Sequence, residues 1–192
     1  MTIKTNETHA DRFQHYLQLT STSYAQAVAD LQTKYGPVKD DYFNRASYEQ
    51  FLAGQVLRLQ RGNYTRTRDG LCTHHVAENQ FHNMSDLTTI RRYQYPFKFQ
   101  QRDQLVYADE VEHLILHALI TQETQGRFGY HGYREYLSKA VREWYVDQKR
   151  PQKNWQSRCY LVSLLSKTEA LTLFQVLERG PLAGVLANAD NQ

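Results

Sequence analysis

Four histidines in two pairs carry the chemistry open to this chain. His74 and His75 are adjacent and close an apolar run, Leu71-Cys72-Thr73-His74-His75-Val76. His113 and His117 stand four apart in Glu112-His113-Leu114-Ile115-Leu116-His117. Side chains four apart on a helix share a face, so the second pair can aim two imidazoles at one ion. The first run reads as a short β-strand, on which successive side chains point to opposite faces. His74 and His75 therefore cannot share a role: one can bind a metal while the other acts as a base. Three neutral imidazoles leave a divalent cation its full charge and leave coordination positions open. An ordinary imidazole titrates near pH ~6.5, so one directed away from the ion can take a proton from water near neutrality, an effect worth about 10²–10⁴ in rate.

The elements that must position these residues follow from local signals. Gln104-Leu105-Val106-Tyr107 reads as a second strand, and Asp109 with Glu112 forms a capping box that opens a helix over 109–124. On that helix Val111, Leu114, Ile115, Ala118 and Leu119 make a broad apolar face, and His113 and His117 lie off it. A purely structural zinc site is the competing reading, and such sites usually have four ligands. Cys72 shares a strand face with His74, so it either completes such a site or packs as a small apolar residue. His82 falls in the long loop and reads as a surface residue.

Over residues 71–120 the pattern resembles the HNH, or His-Me finger, nucleases with a ββα-metal core, most closely the His-His subgroup that includes the colicin DNases. The resemblance implies that His74, His113 and His117 bind one divalent metal ion (Zn, Mg, Mn or Ni) and that His75 is the general base. It implies an endonuclease that hydrolyses phosphodiester bonds in DNA. Nine residues before the first helical histidine the family has an asparagine that braces the loop carrying the base. This chain has Gln104 there, with the same amide on a longer stem. The substitution favours an alternative, a non-catalytic nucleic-acid-binding or interaction protein whose degenerate core keeps a structural zinc site. Over most of its length the chain is also similar to bacterial proteins with a His-His-Ile-like strand and a Glu-His-Leu-x-Leu-His segment, a likeness that implies no function.

Length and composition bound the rest. With 192 residues, 41% of them apolar, the chain can bury an ample core. It contains no apolar run near the ~20 residues that span a bilayer and no apolar leader, which predicts a cytoplasmic protein without membrane contact. Cys72 and Cys159 read as free thiols. A net charge of +3 is too mild to argue for nucleic-acid binding in bulk, so local clusters must carry it. Arg66 and Arg68 near Tyr64, and Arg91 and Arg92 beside Tyr93 and Tyr95, are the candidate nucleic-acid-binding residues, because guanidinium forks fit phosphate and tyrosine rings stack on bases.

Outside the core the reading is helical. Asn6 or Thr8 caps a helix to about Leu19, Ser23 caps Tyr24 to Tyr35, and a box at Ser47 to Gln50 opens a helix to about Gln60. Asn63 to Arg68 and Leu71 to Val76 are expected to form a hairpin across Asp69-Gly70, and Ser85 to cap a short helix through Arg92. Helices are expected near Tyr133 to Gln148, Asn154 to Leu165 and Glu169 to Arg179. The expected fold is α+β: a helical segment (1–62), a ββα-metal core (63–125) and a second helical segment (126–192) wrapped around it. If the reading holds, His74, His113 and His117 converge across about 40 residues of chain, and His75 faces an accessible groove; burial of His75 favours the structural alternative.

Overall fold

Side-chain caps start most helices where the sequence places them. In the computed structural model, which describes residues 8–189, Thr8 and Asp11 form a reciprocal capping box that opens α1 (His9–Leu19); Asn6 lies outside the described residues. Ser23 caps α2 (Tyr24–Tyr35), and Gly36, at φ 75°, ends it. The helix expected from residue 47 starts earlier and is shorter. Asn44 accepts from the Ser47 N–H to open α3 (Arg45–Leu52), while the Ser47 hydroxyl accepts from the Gln60 N–H and holds 53–60 as an irregular return. Asp86, not Ser85, caps α4 (Leu87–Tyr93).

The sheet has two strands, β1 (Cys72–His75) and β2 (Leu105–Ala108), paired antiparallel with His74 opposite Val106 and His75 opposite Leu105. The expected hairpin across Asp69-Gly70 does not form. Thr67–Asp69 is a 3₁₀ turn, and the Leu71 N–H returns to the Arg66 carbonyl instead of opening a ladder. Residues 63 and 64 are held away from β1 because both their N–H groups donate to the Asp40 carboxylate.

β2 runs into α5 (Glu110–Glu123), capped by the predicted box of Asp109 and Glu112. A continuous helical stretch, 130–146 (α6), contains two π-helical segments, Tyr133–Leu137 and Arg142–Val146. α7 (Asn154–Val162), α8 (Lys167–Arg179) and α9 (Ala183–Ala189) follow. The result is a helix-rich α+β chain with a β-β-α unit at its centre. Among the described residues no helix is long and apolar enough to cross a membrane.

α5 is the axis of the molecule. It packs against α1, α2, both strands and α6, and from Glu110 to Thr121 every residue except His113 is buried. The main core joins Tyr16, Val28, Leu114, Leu119, Trp144 and Phe174, drawing on both ends of the chain as well as its centre. A second cluster, with Tyr48, Phe51, Met84, Ile90 and Tyr95, unites α3 with the long connection between the strands.

Burying the start of α5 obliges its polar groups to find partners. Asp109 accepts from the Val111 and Glu112 N–H groups and, at 2.7 Å, from the Tyr16 hydroxyl. Burial alone would raise the Glu112 carboxyl, but His15 and Lys34, at 3.0 and 2.9 Å, outweigh it and hold the group below its usual range. Replacing Asp109 by Ala removes the cap and strands a buried hydroxyl. Asp109→Ala should cost about 2–4 kcal/mol and Tyr16→Phe only about 1 kcal/mol, measured by denaturant unfolding.

Candidate metal centre

The fold brings three of the four histidines to one point. His74 comes from β1 and His113 and His117 from successive turns of α5, and one ring nitrogen of each lies within 4.8 Å of the other two, a grouping that could hold a metal ion. The rings stand 5.0 to 5.3 Å apart between centroids and nearly edge to face. Burial holds His74 and His113 below the ordinary imidazole range, His74 down to about 3, so both are neutral near physiological pH.

Hydrogen bonds to the far nitrogens decide where the lone pairs point. The Tyr24 hydroxyl donates to the Val76 carbonyl at 2.8 Å, so at 2.9 Å it must accept from His74 Nε2–H. His74 Nδ1 is then a bare lone pair, and it is buried with no hydrogen-bond partner among the described residues. For His117 the neighbour of Nδ1 is the Gly129 carbonyl at 3.1 Å, which can only accept, so Nε2 carries the lone pair. Holding a ligand's second ring nitrogen in this way is how proteins orient metal-binding imidazoles.

Glu78, which the sequence did not single out, faces the same point. It lies in the 3₁₀ turn Val76–Asn79 that follows β1, with Oε2 3.2 Å from His117 Nε2 and 3.8 Å from His74 Nδ1. These separations bracket the ~3.4 Å edge of a tetrahedron with bonds of about 2.0–2.1 Å. A proton on a ring nitrogen or a divalent cation can supply the positive charge that this carboxylate faces, and the spacing of the nitrogens and the oxygen is that of a tetrahedral metal site. The donor set therefore fits a divalent cation.

His75 occupies the opposite face of β1, as strand alternation requires. Its Nε2 lies 2.9 Å from the Gln100 side-chain oxygen, and the Gln100 amide donates to the Met84 carbonyl at 3.0 Å. That pairing sets the proton on Nε2 and leaves Nδ1 as the free lone pair, 3.6 Å from Glu78 Oε1. The amide that braces His75 is thus Gln100, and the expectation for Gln104 is corrected. Gln104 ends a 3₁₀ turn one residue before β2, whereas Gln100 lies inside the folded connection and reaches the ring. The Tyr42 ring covers His75 at 4.4 Å, and the residue is only 1% exposed, against the expected open groove. It still lines a pocket of 310 Å³ together with Tyr42, Thr73, Glu78, His113 and His117.

The other candidates fall elsewhere. Cys72 does not join the histidines; it meets Glu110 and Cys159. His82 is exposed, with its ring 4.5 Å from Phe128. Arg66 is committed to Asp69 and the Tyr35 carbonyl, with its guanidinium over the Tyr107 ring, while Arg68 is exposed beside it. Arg91 and Arg92 line a different concavity, with Phe51 and Leu87, that shares no residue with the histidine pocket. No family model, curated protein or solved structure matches the chain. The functional reading rests on geometry.

Two outcomes test this centre. Gly132 is helical and should accept alanine, yet a Cβ there would lie 2.5 Å from the His117 ring. Gly132→Ala should therefore keep the helical signal in circular dichroism while weakening metal binding by about 10–100-fold in titration calorimetry. The second outcome is acid sensitivity. A histidine whose folded pKa is depressed from 6.5 to about 3 contributes stability that is complete above 6.5 and is lost as pH falls through that window. In chelator, the stability of His74→Gln relative to the unaltered protein should improve on acidification by up to about 1.4 kcal/mol per pH unit, read from denaturant unfolding at pH 7 and pH 5.

Proposed function

We propose that the protein is a metal-dependent phosphodiesterase that acts on DNA through a ββα-metal centre of the HNH type. The observation that carries this reading is the unpartnered Nδ1 of buried His74, aimed at the meeting point of His113 and His117, with His75 presenting a free Nδ1 to the same pocket. Strand, strand and helix follow in the order such a centre requires, with one ligand from β1 and two from α5.

Phosphodiesters resist hydrolysis because their oxygens repel an incoming nucleophile and their leaving alkoxide is poor. His74, His113 and His117 would hold a divalent cation, which when bound would supply the Lewis acidity that offsets both. The chain supplies the remainder. Gln100 keeps the His75 proton on Nε2, so Nδ1 can accept a proton from an attacking water in the pocket. Glu78 Oε1 lies 3.6 Å from that nitrogen, on the pocket side of the ring. Tyr42 covers the ring and fixes its plane.

A second reading is favoured by two observations. Glu78 stands close enough to His117 to be a fourth ligand, and His75 is almost fully enclosed. A three-histidine, one-carboxylate site of this kind is closed and contributes folding energy alone.

Four variants separate the two readings. With magnesium, manganese, nickel or zinc, His75→Ala should keep the metal and lower plasmid nicking by about 10²–10⁴. His113→Ala should lose metal and cleavage together. Gln100→Leu should lower cleavage by about 10² with the metal retained, whereas Gln104→Leu should leave both unchanged. Metal binding without nicking under any of these ions, together with a thermal midpoint that falls on chelation, would establish the structural site instead.

A further inference from the structure

A second group of metal-ligating side chains lies outside the histidine pocket. Cys72 on β1, Glu110 in the first turn of α5 and Cys159 on α7 place one ligand atom each within 4.8 Å of the other two. The Cys72 thiol sits 3.4 Å from Glu110 Oε2. With bonds of about 2.3 Å to sulfur and about 2.1 Å to oxygen, the sulfur-to-oxygen edge of a tetrahedral site is ~3.6 Å, so the Cys72–Glu110 pair already spans such an edge to within a few tenths of an ångström, and the Cys159 sulfur lies within 4.8 Å of both. We propose that Cys72, Glu110 and Cys159 form a second, thiolate-rich site for a divalent cation of the zinc class.

Charge and burial support a cation over a disulfide. Cys159 is fully buried, Glu110 is 9% exposed, and burial pushes the Glu110 carboxyl up. Its hydrogen-bond donor there is a thiol, one of the weakest donors a protein offers. Oxidation of the two cysteines to a disulfide removes that donor and leaves a buried carboxyl facing two sulfurs. A divalent cation neutralises it, and two thiolates select zinc over magnesium or calcium. Three ligands leave one coordination position. Cys72 also lines a 540 Å³ pocket with Thr73, His113 and Trp155, which gives the ion a path in and room for a water as fourth ligand.

The two sites are neighbours but not one binuclear centre. Cys72 and His74 are two residues apart on β1, about 6.6 Å along the strand. Catalytic metal pairs sit about 3.5–4 Å apart. The second ion acts as a staple, tying α7 to the β-β-α unit at the place where α7 packs on the turn Thr67–Asp69.

The full-length protein, purified in reductant and stripped with chelator, is reconstituted with zinc or with cobalt. We expect two zinc ions per chain and, with cobalt, a thiolate-to-cobalt charge-transfer band in the near ultraviolet. Cys159→Ser should abolish the band and leave one zinc. His113→Ala should keep the band while also leaving one zinc, so failure of the histidine centre reads differently from failure of this one. Glu110→Gln keeps both thiols and should weaken zinc at this site by roughly tenfold or more, which serves if Cys159→Ser does not fold. Absence of the band in the unaltered protein overturns the proposal. So does a zinc count unchanged in Cys159→Ser, or a Cys72–Cys159 disulfide in protein isolated without reductant.

Discussion

Everything in this molecule is organised by the near-complete burial of α5. Most helices bury one face and leave their polar residues in water, but this one is enclosed by two N-terminal helices, a sheet and the π-containing α6. Each of its buried polar side chains must therefore be answered by a particular atom, for Thr121 the His117 carbonyl of the same helix and for most others an atom on another element. Glu112 is answered by α1 and α2 through His15 and Lys34, Asp109 by Tyr16, and His117 by the Gly129 carbonyl. Among the described residues Glu110 is met by a thiol alone, and His113 and His117 look toward a lone pair and a carboxylate. The places where the answer is incomplete are the two groupings of side chains that could hold a metal ion.

That constraint also explains why the site is defined by hydrogen atoms as much as by ligands. The two nitrogens of an imidazole differ only by which one bears the proton, and a ring free to exchange tautomers would present the wrong one part of the time. Tyr24, Gly129 and Gln100 remove that freedom at His74, His117 and His75 respectively. Gly129 can approach because it lacks a side chain: at φ 79° any Cβ would lie 2.5 Å from the His117 carbonyl. The break Gly126-Arg-Phe-Gly-Tyr-His-Gly132, which reads in sequence as punctuation, is the wall of the centre.

What was legible in the sequence was what is encoded locally. Thr8, Ser23 and Asp109 announce their helices because a cap needs only a side-chain oxygen three residues from an N–H, and the spacing of His113 and His117 places them on one face before any packing is known. The opposite faces of His74 and His75 follow from strand alternation alone. Asp69-Gly70 misled because a turn dipeptide looks the same whether it closes a hairpin or a 3₁₀ turn; Asp40, far off in sequence, decides between them. Glu78 and Gln100 were missed because neither sits in a periodic element, and their side chains reach the histidines only once the long connection has folded. The one local trace was a carboxylate three residues beyond His75, where a turn brings it back under the strand. Gln104 was singled out because it stands nine residues before His113, where the resembled family has its asparagine, and only folding shows that Gln100, four residues earlier, is the amide that reaches the ring.

The distance in sequence between the two halves of the histidine cluster has a topological consequence. Any bond that ties His74 to His113 closes a ring of about 40 residues, and roughly three quarters of that ring is the connection carrying Met84, Ile90 and Tyr95. Fixing the ends of such a ring removes disordered conformations worth about 4 kcal/mol from the unfolded ensemble, if a bridged ion behaves as a permanent cross-link does. The residues that the ring packs against Tyr48 and Phe51 of α3 then need fewer contacts of their own to stay folded. Sequence drift at Met84, Ile90 and Tyr95 would be tolerated for as long as the knot at the ring's neck held, so the histidines would safeguard the heritable freedom of side chains that are not their partners.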